Sequence, residues 1–132
     1  MLIKQFYKKE SGNYMEFINY NKCSTCKNAK KYLDENNIKY IDRGIKEDTP
    51  TKEELKGWIE KFNIDIKKLF NTSGLVYRKL NLKEKIKNMS MDEKLELLSS
   101  DGMLIKRPIL VLEDNILIGF KKDEWEKVVN NS

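Results

Sequence analysis

Residues 15–42 limit the fold more than any other stretch of the chain. MEFINY (15–20) is a compact apolar run of strand length. A helical pattern follows from about Ser24 to Asn36, in which Cys26, Ala29 and Leu33 share one face at spacings of three and four. Asn36-Asn37 marks a helix stop, and IKYID (38–42) reads as a second strand. Two strands around a helix of that length make a βαβ unit, with parallel strands and a right-handed crossover.

The middle of the chain is helical in pattern. Thr51-Lys52-Glu53-Glu54 and Ser90-Met91-Asp92-Glu93 have capping-box spacing and precede LKGWIEKF and KLELLSS. Between them lie a turn, FNTSG (70–74), and LVYRKLNLKEKIKNM (75–89), which reads as short helices. Pro50 fits a loop just ahead of a helix. Strands return at Ile109–Leu112 and Ile116–Ile118 around a hairpin turn at Glu113-Asp114-Asn115. KKDEWEKVV (121–129) closes as an amphipathic helix with Trp125, Val128 and Val129 facing inward. The plan is β-α-β, a helical insert over about 50–106, then β-β-α, which is the α/β plan of thioredoxin-like domains. A single domain is expected over 15–132. Residues 1–14 show no clear period and read as an N-terminal extension, with Met15 the expected natural start.

Composition removes several classes of function. At 39% hydrophobic and 36% charged residues the chain is a charge-rich globule. No apolar run approaches the roughly 20 residues that cross a bilayer. The opening MLIKQFYKKE is too short and lysine-broken for a secretory signal. A cytoplasmic setting is therefore expected, without membrane association. The net charge of +5 is spread over lysines mixed with glutamates, a solvated surface rather than a nucleic-acid footprint, so no direct DNA binding is expected. The chain has no histidine, which excludes Ser-His and Cys-His hydrolytic designs, and its six glycines are scattered, with no phosphate loop.

The only two cysteines, Cys23 and Cys26, stand at the strand-to-helix junction. A cysteine attacks as thiolate, and a free thiol with a pKa of about 8.5 is mostly protonated at neutral pH. A sulfur at a helix mouth gains from unpaired N–H groups and the positive end of the helix dipole. Lys22 and Lys27 are expected to add positive charge. Cys26, one turn in, can reach back to the same sulfur, so Cys23 is expected to be exposed and nucleophilic and Cys26 more buried and resolving. Two alternatives stay open. A structural zinc site wants four Cys or His ligands, which carboxylates or a second chain would have to complete. An inert pair of buried cysteines is the other, since cysteine is often simply a small core residue.

Lys106-Arg107-Pro108 forms the second constellation. Pro108 stands directly before the strand ILVL, where proline is tolerated at a strand's first position or edge. In thioredoxin-like folds a cis-proline here packs beside the cysteines and leaves a backbone edge for an extended substrate. The plainer alternative is a proline that only starts a strand. Arg107 is a candidate to bind an anion near Cys23 or to stabilise its thiolate, or it is an ordinary surface arginine.

NKCSTCKNAKKYL, LFNTSGLVYRKLNL and SDGMLIKRPIL together resemble the ArsC/Spx/MgsR family over about residues 15–129. The resemblance implies a glutaredoxin-like core with a helical insert and a cis-Pro108 facing Cys23. It implies a redox site of Cys23, Cys26 and Arg107, with Pro108, Lys22, Ser24 and Thr25 forming the surface offered to a partner. No metal and no cofactor are implied. Arsenate reductases of the family place a cysteine at the position of Cys23 and serine at that of Cys26. They cradle the oxyanion with three arginines; Arg107 matches one, while Asn71 and the Gly119-Phe120 region stand where the others belong. Regulators of the Spx type use the cysteine pair as a switch and bind the C-terminal domain of the RNA polymerase α subunit. They generally carry a longer tail than Val128-Val129-Asn130-Asn131-Ser132 provides. The first expectation is a monomeric thiol–disulfide oxidoreductase working with thioredoxin, glutaredoxin, glutathione or a protein disulfide. The second is a redox-sensing transcription regulator, and the third an arsenate reductase.

Overall fold

The computed structural model describes residues 14–129. The expected N-terminal extension, and with it the start at Met15 as opposed to Met1, lies outside the described residues, as do Asn130 to Ser132. The chain divides into two compact units, residues 14–44 with 107–129, and residues 45–106.

The first unit is a four-stranded sheet with two helices. Its elements are β1 (Met15–Asn19), α1 (Ser24–Glu35), β2 (Ile41–Gly44), β3 (Ile109–Leu112), β4 (Ile116–Ile118) and the closing helix Lys122–Val129. The strand order is β2-β1-β3-β4. β1 runs parallel to β2, with Glu16 beside Ile41 and Ile18 beside Arg43. β3 lies antiparallel to β1, Phe17 opposite Leu110, and β4 antiparallel to β3. Alternation along the strands sends Met15, Phe17, Leu110, Leu112 and Leu117 to one face. There they meet Ala29, Tyr32 and Leu33 of α1 and Trp125 and Val129 of the closing helix. Val128 is half-buried against the same core. Each fully buried side chain of this size contributes about 1.5–3 kcal/mol. Trp125 ties the layer together: its ring meets Phe120 edge-on at 4.9 Å, and its Nε1–H donates to the Gly119 carbonyl at 3.0 Å. Gly119 has φ 81°, a left-handed conformation that costs an L side chain and that glycine adopts freely.

β2 starts later than its sequence pattern suggested. IKYID predicts a strand over 38–42, whereas the pairing begins at Ile41 and runs to Gly44. The helix stop explains the delay. Asn37 takes the left-handed conformation at φ 56°, and Ile38 and Tyr40 then pack on the core from an irregular segment. The strand that results is largely polar, and it carries Arg43, which forms a buried ion pair with Glu16 of β1 at 3.4 Å.

The second unit is helical: α2 (Lys52–Phe62), a short 3-10 turn (Ile66–Leu69), α3 (Leu75–Lys79), α4 (Leu82–Lys85) and α5 (Met91–Ser100); the closing helix of the first unit is hereafter α6. Both capping boxes form, with Thr51 and Ser90 accepting from the N–H of Glu54 and Glu93 and each glutamate answering at the cap's own N–H. α2 and α5 bury Leu55, Trp58, Leu95 and Leu98. Lys52 bridges the two helices through Asp92 and Glu96. Asn71 ties its loop to the segment at 102–104: its N–H donates to Leu104 O at 2.8 Å and its side chain to Met103 O.

Candidate redox site at the start of helix α1

The end of β1 turns sharply into α1. The N–H of Cys23 donates to the carbonyl of Tyr20 at 3.0 Å, which closes the turn Tyr20-Asn21-Lys22-Cys23. Cys23 then occupies the N-cap of α1 in an extended conformation, and its carbonyl accepts from Lys27 N–H at 3.0 Å. The usual N-cap is an oxygen-bearing side chain that receives an orphan N–H of the first turn. Here sulfur takes that place, and Cys23 Sγ accepts from the Cys26 N–H at 3.4 Å.

The two cysteines are unlike in every respect that matters for reactivity. Both are free thiols; Cys23 is half-exposed and Cys26 is buried at 1% of its possible exposure. For Cys23, burial pushes the thiol up. The hydrogen bonds from Cys26 N–H and the Cys26 thiol, the charge of Arg107 and the Thr25 N–H outweigh it and bring the pKa below the ordinary value. For Cys26, burial dominates and the neighbouring Cys23 adds to it. The Tyr20 N–H, 3.5 Å from its sulfur, and Arg107 oppose them, and the pKa is still pushed up to about 12. Of the two sulfurs, the outer one is therefore the easier to ionise.

Each residue expected at the site can now be placed. Cys23, Cys26 and Arg107 come together, with Arg107 close enough for its charge to act on both sulfurs. The Arg107–Pro108 peptide is cis, and the Pro108 carbonyl accepts from Gly119 N–H at 2.8 Å. Thr25 contributes through its backbone; its side chain and that of Ser24 are exposed. Lys22 and Lys27 were expected to supply charge, but they extend into solvent and Arg107 is the cation that acts on Cys23. Water screens a lysine that reaches outward far more than a guanidinium held near the sulfur. Tyr20 was not singled out in the sequence. Its only local signal is an aromatic residue three positions ahead of Cys23, yet it touches both cysteines and the arginine: its N–H meets Cys26 Sγ, its carbonyl holds Cys23 N–H, and its ring lies under the Arg107 guanidinium at 5.2 Å. Among the described residues no three acidic, cysteine or histidine side chains gather into a metal-holding cluster, and no helix is long and apolar enough to cross a membrane.

A mixed sheet ordered β2-β1-β3-β4, a cysteine at the mouth of the helix after β1 and a cis-proline before β3 define a thioredoxin-like fold. Comparison with known proteins narrows the class. The model of the ArsC family matches residues 18–128, and the chain belongs to that family. It is 52% identical over 113 residues to YusI of Bacillus subtilis, covering 86% of this chain and 96% of that protein. It is 32% identical over 114 residues to the regulatory protein MgsR of the same organism, covering 86% and 89%. An ArsC family related protein from Bacteroides fragilis has the same fold in its crystal structure, with a TM-score of 0.81 and 50% identity over 86% of this chain and 96% of that one.

Proposed function

We propose that this ArsC-family protein is a thiol–disulfide oxidoreductase in which Cys23 attacks and Cys26 resolves. The observation that carries the reading is the asymmetry of the two sulfurs, one capping a helix with a lowered pKa and one buried with its pKa at about 12. In the reaction the Cys23 thiolate attacks one sulfur of a disulfide RS–SR′, and R′S⁻ leaves and takes a proton. Cys26 then attacks the Cys23 sulfur of the mixed disulfide, loses its own proton to solvent or the departing thiolate, and displaces RS⁻. Two electrons pass to the substrate and the protein is left with a Cys23–Cys26 disulfide. The first step also readies the second. Two of the causes that hold the Cys26 pKa up are its hydrogen bond to Cys23 and the charge on Cys23. Both vanish when Cys23 enters the mixed disulfide, so Cys26 becomes easier to ionise when it is needed.

A reducing cytoplasm with glutathione, glutaredoxin or thioredoxin would return the pair to thiols. Pro108, Lys22, Ser24 and Thr25 are proposed as the surface that a partner meets around Cys23. Arsenate chemistry has less support. Asn71 is not an arginine and its side chain donates to the Met103 carbonyl, while Phe120 packs against Trp125 and Tyr32. A multiply charged oxyanion would lose most of the charge-assisted hydrogen bonds it needs.

The test is the fate of a mixed disulfide. Reduced Cys26→Ser protein exposed to glutathione disulfide should hold one glutathionyl group on Cys23, whereas the unsubstituted protein should pass through that adduct to an internal disulfide two hydrogens lighter. A stable adduct on the unsubstituted protein, or none on either, contradicts the mechanism. The likeness to the regulator MgsR supports a second reading, a redox-controlled transcription regulator that binds the C-terminal domain of the RNA polymerase α subunit. Pull-down with that domain, using reduced and oxidised protein, separates it from the first: redox-dependent capture favours the regulator, and no capture in either state rejects it.

A further inference from the structure

We propose that Tyr20 is the positioning residue of this site: its ring is the platform that holds the Arg107 guanidinium beside Cys23, while its backbone sets the places of the two sulfurs. The proposal rests on the redox reading of the cysteine pair, because it concerns how that pair is charged.

Three contacts from three parts of one residue carry it. The carbonyl of Tyr20 accepts the Cys23 N–H at 3.0 Å and closes the turn that leads Cys23 into the cap. The N–H of Tyr20 points to Cys26 Sγ at 3.5 Å. The ring carries Arg107 with its guanidinium carbon 5.2 Å from the centroid, within the distance at which a cation is drawn to an aromatic face. The two backbone contacts need no particular side chain at position 20. The ring contact does, and it is the part that substitution can isolate.

The physical reason is the freedom of arginine. An arginine side chain has many rotamers, and one that carried the charge of Arg107 into water would lose it to screening. A planar guanidinium stacks on an aromatic face in a way that a solvated ammonium does not match. The ring of Tyr20 selects the rotamers that keep the charge near the site, where it lowers the Cys23 pKa together with the helix-mouth N–H groups. Tyr20 thus acts through Arg107 rather than on substrate. The phenol oxygen has no part in this, so phenylalanine should serve as well as tyrosine.

The experiment is the pH profile of iodoacetamide alkylation at Cys23 of the full-length reduced chain, with the modified cysteine located by mass spectrometry. It is measured for Tyr20→Phe, Tyr20→Leu, Arg107→Gln and the Leu/Gln double variant. Tyr20→Phe should keep the midpoint of the unsubstituted protein. Tyr20→Leu should raise it, slowing alkylation at neutral pH about threefold as the thiolate fraction falls. Arg107→Gln should raise it at least as far, and Tyr20→Leu should add nothing in that background, the non-additivity expected of residues acting as one unit. A purely structural tyrosine would leave the midpoint unchanged or add its effect to that of Arg107→Gln, and either result overturns the proposal. Should Tyr20→Leu fold poorly, Tyr20→Gln provides the same comparison at this half-buried position. The assay reads ionisation alone, so it stands or falls separately from disulfide exchange: a normal profile in a chain whose mixed disulfide never resolves would sink the redox reading and leave the role of Tyr20 intact.

Discussion

The sheet unit and the helical insert are built by opposite means. In the sheet unit, Met15 to Ile18 pair with Ile109 to Leu112 across most of the chain's length, and the core between sheet and helices is closed by Trp125. In the insert, helix starts are set locally: two capping boxes start α2 and α5, and α3 has no buried residue at all, with Leu75 68% exposed. The chemistry sits in the first kind of structure. Cys23 and Arg107 are remote in sequence and are brought together because β1 and β3 are neighbours in the sheet. A site made this way depends on the register of the whole sheet, whereas the cap of an insert helix is made within four residues.

The contrast can be broken at three points. Trp125→Ala should cost about 3–5 kcal/mol, read as a shift of the denaturation midpoint, because it empties a fully buried indole site and frees the Gly119 carbonyl. An effect near that of a surface substitution would mean that the sheet unit is not the stabilising core. Ser90→Ala should cost about 1 kcal/mol, the usual loss of an N-cap, and should leave the alkylation of Cys23 unchanged. Leu75→Ser should fall within about 0.5 kcal/mol of the parent in the same denaturation assay, since the side chain is already in water. A larger loss would show that α3 is held by more than its own turn.

The cysteines add a pH dependence with opposite signs. Ionised Cys23 is favoured by the fold, so its contribution is present above the ordinary thiol value and fades as pH falls through its lowered pKa. Protonated Cys26 is favoured by the fold, so its contribution is complete below about 8.5 and is lost as pH rises toward about 12. Cys26→Ala should therefore flatten the alkaline limb of the stability profile, and Cys23→Ser the limb below it, both read from denaturation midpoints across pH.

Much of this architecture was legible because its signals are local. The apolar runs of β1 and β3, the shared face of Cys26, Ala29 and Leu33 and the capping-box spacings each sit within a few residues. β2 was misplaced because Ile38 and Tyr40 look like strand residues but serve the core from a loop, while the true strand contains Asp42 and Arg43. Its position is fixed by pairing with β1, which no local pattern records. The same limit explains the site. The helix-mouth cysteine could be read from its neighbours in sequence, and Lys22 and Lys27 seemed the natural source of charge for the same reason. Tyr20 and Arg107 meet only once the sheet has formed.

The most direct measurement is the alkylation of each cysteine as a function of pH in the reduced, unsubstituted chain. A helix-capping thiolate requires Cys23 to titrate below a free thiol and to be the sulfur modified first, with Cys26 inert until strongly alkaline conditions. Equal rates at the two positions, or a Cys23 midpoint above that of a free thiol, would contradict the division of labour between them.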